Sequence, residues 1–251
     1  MVVSPALQLP RVIAHRGAPR QAPENTLVSF RRAHQLGARW VEFDVALTAD
    51  ARPVIFHDDA LDRTSDGQGL LAATEFEIVK QLDAGSWFGR PYAGEPVPTL
   101  EEALDLFIDL GLAINMELKT DPGREAELAA VAMATVREMW PADRHPPLIS
   151  SFSRTAIEAA QPLAPGWPMD LIYDHVPGYW LEDGKALGLA AFGANQKHLT
   201  REQVMSIRGA GFKLISYTVN DVDRALVLFQ WGVDAIFTDV PDEMVRKFGA
   251  N

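Results

Sequence analysis

The sequence predicts an α/β chain folded as a closed (β/α)8 barrel. Two observations carry that expectation. Short apolar, β-branched runs alternate with amphipathic segments along the whole chain, the pattern of a parallel sheet covered by helices. About eight such β/α units fit into 251 residues, a length at which such barrels close as one domain. The nearest alternative is a doubly wound open sheet. It is weakened because no Gly-rich dinucleotide fingerprint follows the first strand.

Strands are expected at 11–14, 39–44, 112–118, 147–150, 169–173, 190–194, 213–219 and 235–238. Helices are expected between them. In 25–36, Leu27, Phe30, Ala33 and Leu36 recur at three-residue steps and mark one face. Further helices are expected at 125–139, 154–160, 201–210, 221–230 and 242–248. Ser153, Thr200 and Asn220 stand where N-caps belong, and Gly37, Gly211 and Gly232 follow helical patterns. Pro23-Glu24-Asn25-Thr26 opens the first helix, with Glu24 suited to its positive end and Asn25 a reasonable cap.

One stretch breaks the rhythm. Residues 58–98 are too long for a loop plus a helix and carry turn signals at 66–69 and 87–91. They are expected to form an inserted subdomain at the barrel mouth, after the second strand, within a single domain spanning 1–251. The barrel helix then resumes in "PTLEEALDLF", with Thr99 as N-cap and Glu102 completing a capping box.

Composition bounds the function. Apolar residues make up 47%, enough for a large core. The formal net charge of −11 and the lack of a Lys/Arg-rich run disfavour a nucleic-acid partner. There are no cysteines, so disulfides, thiolate metal sites and cysteine catalysis are excluded. No segment is apolar enough for stable membrane insertion, and the first residues lack a signal-peptide pattern. A cytoplasmic protein is the expectation. Oligomeric state is not legible.

In such a barrel the chemistry sits at the carboxyl ends of the strands. The first strand ends in His15-Arg16. The second carries Glu42 and Asp44, two apart and therefore on one face. The third carries Glu117 and Lys119, also on one face, and "RPVIFHDD" ends in His57-Asp58. The seventh ends in Ser216-Tyr217 and the eighth in Thr238-Asp239. Three buried carboxylates need cations. A hard divalent ion such as Mg²⁺ or Ca²⁺ would serve, and so would a salt-bridge network with Arg16, Lys119 and Arg63. His15 and His57 converge on the same mouth and suit acid–base work. Arg16 and Lys119 suit an anionic substrate, most simply a phosphate. His34, His145, His175 and His198 are read as structural, the last two for want of a carboxylate constellation. Arg63 is expected to brace the mouth, and Trp87 and Tyr217 to form an apolar wall for the substrate.

The runs "AHRG", "PENT", "VEFDV", "PVIFHD", "LDRTSDGQG", "PTLEEAL", "NMELK", "SSF", "YTVN" and "GVDAIFTDVP" occur in this order from Arg11 to Pro241. In that combination the chain resembles the glycerophosphodiester phosphodiesterases, most closely the compact bacterial cytosolic type. The resemblance implies a TIM barrel with an insertion after the second strand and a small glycerophosphodiester substrate. It implies a divalent cation on Glu42, Asp44 and Glu117, with Arg16 and Lys119 on the phosphate. His15 and His57 become the general base and general acid. Tyr217 stands where the family often has Trp, which affects the shape of the apolar wall. Two rivals remain. One is a lysophospholipase D or sphingomyelinase D type of phosphodiesterase, disfavoured by the absence of cysteine and of a leader pattern. The other is a non-catalytic anion-binding barrel, which would need neither histidine.

Overall fold

The computed structural model describes residues 7–249. The first six residues, part of the stretch read above for a leader, lie outside the described residues. So do the last two, which close the 1–251 span expected for the domain.

Strand β1 (Val12–His15) pairs in parallel with β2 (Trp40–Leu47). A short β3 (Pro53–Ile55) runs back antiparallel along the end of β2. The ring continues through β4 (Ala113–Leu118), β5 (Leu148–Ser151), β6 (Met169–Tyr173), β7 (Ala191–Asn195), β8 (Lys213–Tyr217) and β9 (Ala235–Thr238). Strand β9 then pairs with β1, so eight parallel strands close on themselves. All eight predicted strands are present, within a few residues of the expected bounds. Among the described residues, closure leaves β3, three residues long, at the edge of this sheet.

Helices α1 (Leu27–Gln35), α3 (Leu100–Leu110), α4 (Glu125–Met139), α5 (Arg154–Ala160), α6 (Trp180–Ala186), α7 (Arg201–Gly209), α8 (Val222–Trp231) and α9 (Pro241–Phe248) follow the barrel strands, while the single turn α2 (Phe76–Val79) belongs to the insertion. Thr99 and Glu102 form the expected capping box on α3, and Thr200 forms a second one with Gln203 on α7. Two expected caps fall one residue later. Thr26, not Asn25, caps α1, and Asp221, not Asn220, caps α8. In both cases the asparagine amide is engaged by a carboxylate of the mouth. Helix α6 escapes the sequence pattern because it is short and contains Gly184. A Cβ there would come within 2.7 Å of the Phe212 ring, so packing requires the glycine at some cost to helix propensity.

The core has two layers. Outside the sheet, Phe43 of β2 meets Phe30 and Phe107 at ring-centroid distances of 6.2 and 5.0 Å, welding α1 and α3 to the strand. Inside the ring, Ile13, Trp40, Leu148, Ala191, Ile215, Ala235 and Phe237 form one buried cluster. This filling closes the barrel below the polar mouth.

The segment between β3 and α3 is the irregular region read from the sequence. Its Leu61, Leu71, Val79, Ala84 and Val97 bury themselves with Ala46, Val54 and Phe56 of the β2–β3 hairpin. Gly85 is held so close to the Tyr92 carbonyl that a Cβ would overlap it. An antiparallel bridge between Val54 and Thr99 returns the chain to α3. The insertion is thus seated on the hairpin that carries His57.

Candidate active site

His15 is the last residue of β1, and the chain must then turn sharply. Arg16 adopts φ 52° and Gly17 φ 91°. A Cβ at Gly17 would strike the Ser29 side chain at 2.4 Å, so the left-handed turn and the close approach both call for glycine. The Ser29 hydroxyl accepts from the Ala18 amide and donates to the Arg16 carbonyl. This turn aims His15 and Arg16 over the mouth.

Strand pairing assembles the carboxylates. His15 stands opposite Glu42, and Asp44 opposite Glu117. All three acids are buried, and ligand oxygens from each lie within 4.8 Å of one another. Arg16 Nε lies 3.2 Å from Asp44 Oδ2, and Lys119 Nζ lies 3.2 Å from Glu117 Oε1. Glu42 has no Lys or Arg side chain within ion-pair distance; the Arg16 backbone amide donates to its Oε2 at 3.1 Å. Asn25, itself at φ 56°, donates to Asp44 Oδ2 at 2.7 Å.

The electrostatics follow from this packing. Burial, then the charges of Asp44 and Glu117, push the Glu42 carboxyl well above its usual range. Burial and Asp44 push Glu117 up to about 7, against the pull of Lys119. Burial opposes ionisation of Asp44 as well, but Arg16, His57 and Lys119 outweigh it and hold its pKa down. Three carboxylates meeting two cations leave negative charge uncompensated. Among the described residues, Glu42 Oε1 and Asp44 Oδ1 are buried without a hydrogen-bond donor, and Glu117 Oε1 has the Lys119 ammonium as its partner. Arg63 does not join this network. An all-oxygen set with spare lone pairs and excess charge fits a hard divalent cation.

Each histidine is paired with an aspartate. His15 Nδ1 lies 2.7 Å from Asp239 Oδ1. Asn220 holds Asp239 in turn, donating to Oδ2 at 2.6 Å and accepting from the Asp239 amide at 2.7 Å. His57 Nδ1 lies 2.5 Å from Asp58 Oδ1. Arg63 donates to both oxygens of Asp58 and also to Glu24, which accepts from Arg16 as well. Glu24 therefore bridges two arginines and does not serve a helix end. Burial, with the charges of Arg16 and Lys119, lowers the His57 pKa against the pull of Asp44 and Asp58.

A cavity of about 200 Å³ is lined by His15, Arg16, His57, Glu117 and Tyr217, together with Phe152, Ile172 and Phe237. Tyr217 thus lies on the wall, its hydroxyl donating to the Tyr173 carbonyl at 3.0 Å. Trp87 does not line this cavity. Its indole N–H is tied to the Ala84 carbonyl and its ring meets Phe88 within the insertion. Phe152 takes the expected aromatic place, edge-on to Tyr217 at 5.6 Å, with Lys119 Nζ 5.7 Å from its ring centre. A larger cavity, about 320 Å³, opens around Arg11, Arg39 and Trp40 at the other end of the barrel, with no Asp or Glu among the described residues that line it. The convergent groups, and not the volume, locate the chemistry. Among the described residues, no helix is long and apolar enough to cross a membrane.

A closed β/α barrel with guanidinium and ammonium groups beside an acidic cluster that could hold a hard cation suits an enzyme of phosphoester chemistry. Comparison with known proteins narrows the class. The sequence pattern of the glycerophosphoryl diester phosphodiesterase family matches residues 15–243. A glycerophosphodiester phosphodiesterase of Caldanaerobacter subterraneus is 35% identical over 248 residues, covering 95% of this chain and 98% of its own length. One from Bacillus subtilis is 33% identical, covering 92% and 83%. Among solved structures, an Oleispira antarctica phosphodiesterase in complex with the product sn-glycerol-3-phosphate superposes with a TM-score of 0.92 at 43% identity, covering 95% and 96%. The chain belongs to the glycerophosphodiester phosphodiesterase family and is a phosphoric diester hydrolase.

Proposed function

We propose that the enzyme hydrolyses small glycerophosphodiesters, such as glycerophosphocholine and glycerophosphoethanolamine, to glycerol 3-phosphate and the free alcohol. The observation that carries the reading is the convergence of His15, His57 and Arg16 on one cavity beside Glu42, Asp44 and Glu117. The Oleispira relative, which holds sn-glycerol-3-phosphate, supports the product. A cytoplasmic setting and a soluble substrate accompany this reading.

Glu42, Asp44 and Glu117 hold Mg²⁺ or Ca²⁺ in this assignment. Such an ion supplies charge stabilisation to phosphoryl oxygens. Arg16 and Lys119 clamp the phosphate. The charge on Arg16 is secure: burial opposes it, but Asp44, Glu24 and Glu42 outweigh that and keep its pKa above the ordinary value.

His15 is the general base and His57 the general acid. Asp239 keeps a proton on His15 Nδ1, which leaves Nε2 as a lone pair facing the site. That nitrogen takes the proton of the attacking hydroxyl as its oxygen bonds to phosphorus; water as the attacker gives glycerol 3-phosphate directly, whereas the glycerol 2-hydroxyl gives a cyclic phosphate that a water opens to glycerol 3-phosphate in a second step. The P–O bond to the alcohol breaks, and His57 gives its Nε2 proton to the departing oxygen. Burial disfavours the His57 cation, and the negative charge of a bound diester restores it.

The test is a coupled assay for glycerol 3-phosphate release from glycerophosphocholine, with chelator and with Mg²⁺ or Ca²⁺ restored. Release that depends on the metal is expected. No release with any metal, together with turnover of lysophosphatidylcholine, would move the enzyme to the lysophospholipase D class.

A further inference from the structure

His175 and His198, read from the sequence as structural, share a carboxylate partner. Asp174 directly follows β6, and its Oδ2 lies 3.3 Å from His175 Nε2 and 3.8 Å from His198 Nε2. The two imidazoles stack with centroids 3.8 Å apart and an interplanar angle of 27°. One ligand atom from each of the three residues lies within 4.8 Å of the others.

These separations differ in kind from those at the active site. His15–Asp239 and His57–Asp58, at 2.7 and 2.5 Å, are hydrogen bonds. At 3.3 and 3.8 Å the rim histidines stand too far from Asp174 for a good one. A tetrahedral ion with bonds of about 2.0–2.2 Å sets its ligand atoms roughly 3.3–3.6 Å apart. One rim distance matches that edge and the other exceeds it; to bring both in-plane nitrogen lone pairs onto one ion the two stacked, exposed rings must splay apart. The carboxylate is also oriented. Asn195, the last residue of β7, donates to Asp174 Oδ1 at 2.6 Å, and the Lys197 amide fixes Asn195 Oδ1 at 3.0 Å. Oδ2 is thereby left for the histidines, as an outer hydrogen bond orients a metal ligand.

We propose that Asp174, His175 and His198 form a second metal site, for a Zn²⁺-class dication, with a fourth position open to solvent. Two imidazoles and one carboxylate select a borderline ion, whereas the all-oxygen cluster of the mouth selects a hard one. The two sites therefore sort metals by chemistry. The side chains are 71%, 58% and 38% exposed for His175, Asp174 and His198, so an ion reaches them without unfolding. In the ring order the site stands between β6 and β7, across the mouth from the β2–β3 hairpin. Tyr217 connects it to the cavity wall through the carbonyl of Tyr173, one residue before Asp174.

The test titrates Zn²⁺ into the whole protein in excess Mg²⁺, by equilibrium dialysis. One Zn²⁺ equivalent per chain is expected, and Co²⁺ in its place should show the strong visible absorption of a four-coordinate ion. His175→Gln/His198→Gln should abolish both signals and leave turnover in zinc-free buffer unchanged. Asn195→Ala should weaken zinc binding about 10- to 100-fold. Glu42→Gln should leave it intact. The site is refuted if wild type retains no zinc under Mg²⁺, if the double histidine variant retains the same equivalent, or if Glu42→Gln removes it.

Discussion

The two histidines of the mouth are held by different parts of the molecule. His15 belongs to the barrel: it ends β1, its partner Asp239 follows β9, and Asn220 braces that aspartate from two sides. His57 belongs to the hairpin and insertion: it follows β3, its partner is the next residue, and the brace is Arg63, whose side chain is 46% exposed. Barrel closure brings β1 and β9 together and braces the contact with a neutral amide, whereas the insertion braces its contact with a charged, half-exposed arginine. The proposed roles fit this difference: as base, His15 would benefit from a fixed tautomer, which the barrel side supplies, and as acid, His57 would benefit from a nearby negative charge and from freedom to follow a leaving group, which the insertion side supplies.

The largest expected effect is loss of either ring. His15→Ala and His57→Ala should each lower kcat by about 10²- to 10⁴-fold, the usual span for general acid–base groups. A more reactive substrate discriminates them. With a nitrophenol leaving group, which departs without a proton, His57→Ala should recover much of its rate and His15→Ala should not. Recovery by His15→Ala instead would exchange the roles.

Next in size is the difference between the aspartates. At position 239 an asparagine NH2 must face the Asn220 amide, donor against donor, or else face His15 and reverse its tautomer. At position 58 the same group meets Arg63, which can withdraw onto Glu24. Asp239→Asn should therefore cost about 10²-fold in kcat and Asp58→Asn roughly tenfold, the second with its loss growing toward high pH. An equal loss in both would show that tautomer control, and not the stiffness of the brace, is what each aspartate supplies.

Much of this was legible in the sequence. The eight strands follow from apolar runs, and the pairing of Glu42 with Asp44 and of Glu117 with Lys119 follows from the two-residue period of a strand. Asp239 stood out as a strand end, but its pairing with His15 spans 224 residues and exists only because β9 closes against β1. No local pattern encodes such a contact. Glu24 and Phe152 escaped for a similar reason, since their partners come from other loops. Trp87 was misplaced because an aromatic beside a glycine turn looks the same whether it faces a cavity or another ring.

Asp170, the last comparison, sets the barrel interior against the insertion by pH. It lies on β6 between Ser150 and Ala191, fully buried, with no side-chain hydrogen bond to either oxygen. Burial pushes its pKa up to about 7, against the pull of the Gly193 amide. Asp58 moves the other way: hydrogen bonds from Arg63 hold it far below the usual range, against burial and with help from His57. The signs of their contributions differ accordingly. Between about pH 4 and pH 7 the folded chain keeps a proton on Asp170 that the unfolded chain has released, so stability falls as pH rises through that window and then levels off. The contribution of Asp58 is present above about pH 4 and is lost only as pH falls below it. Asp170→Asn cannot ionise and should remove the first slope while leaving the second. Urea unfolding of metal-free protein should show the variant gaining roughly 2 to 3 kcal/mol more over wild type at pH 8 than at pH 5, at an unchanged m-value. Parallel pH profiles for the two proteins would mean that Asp170 is already ionised in the folded barrel at pH 5, and that the polar interior is better solvated than its burial implies.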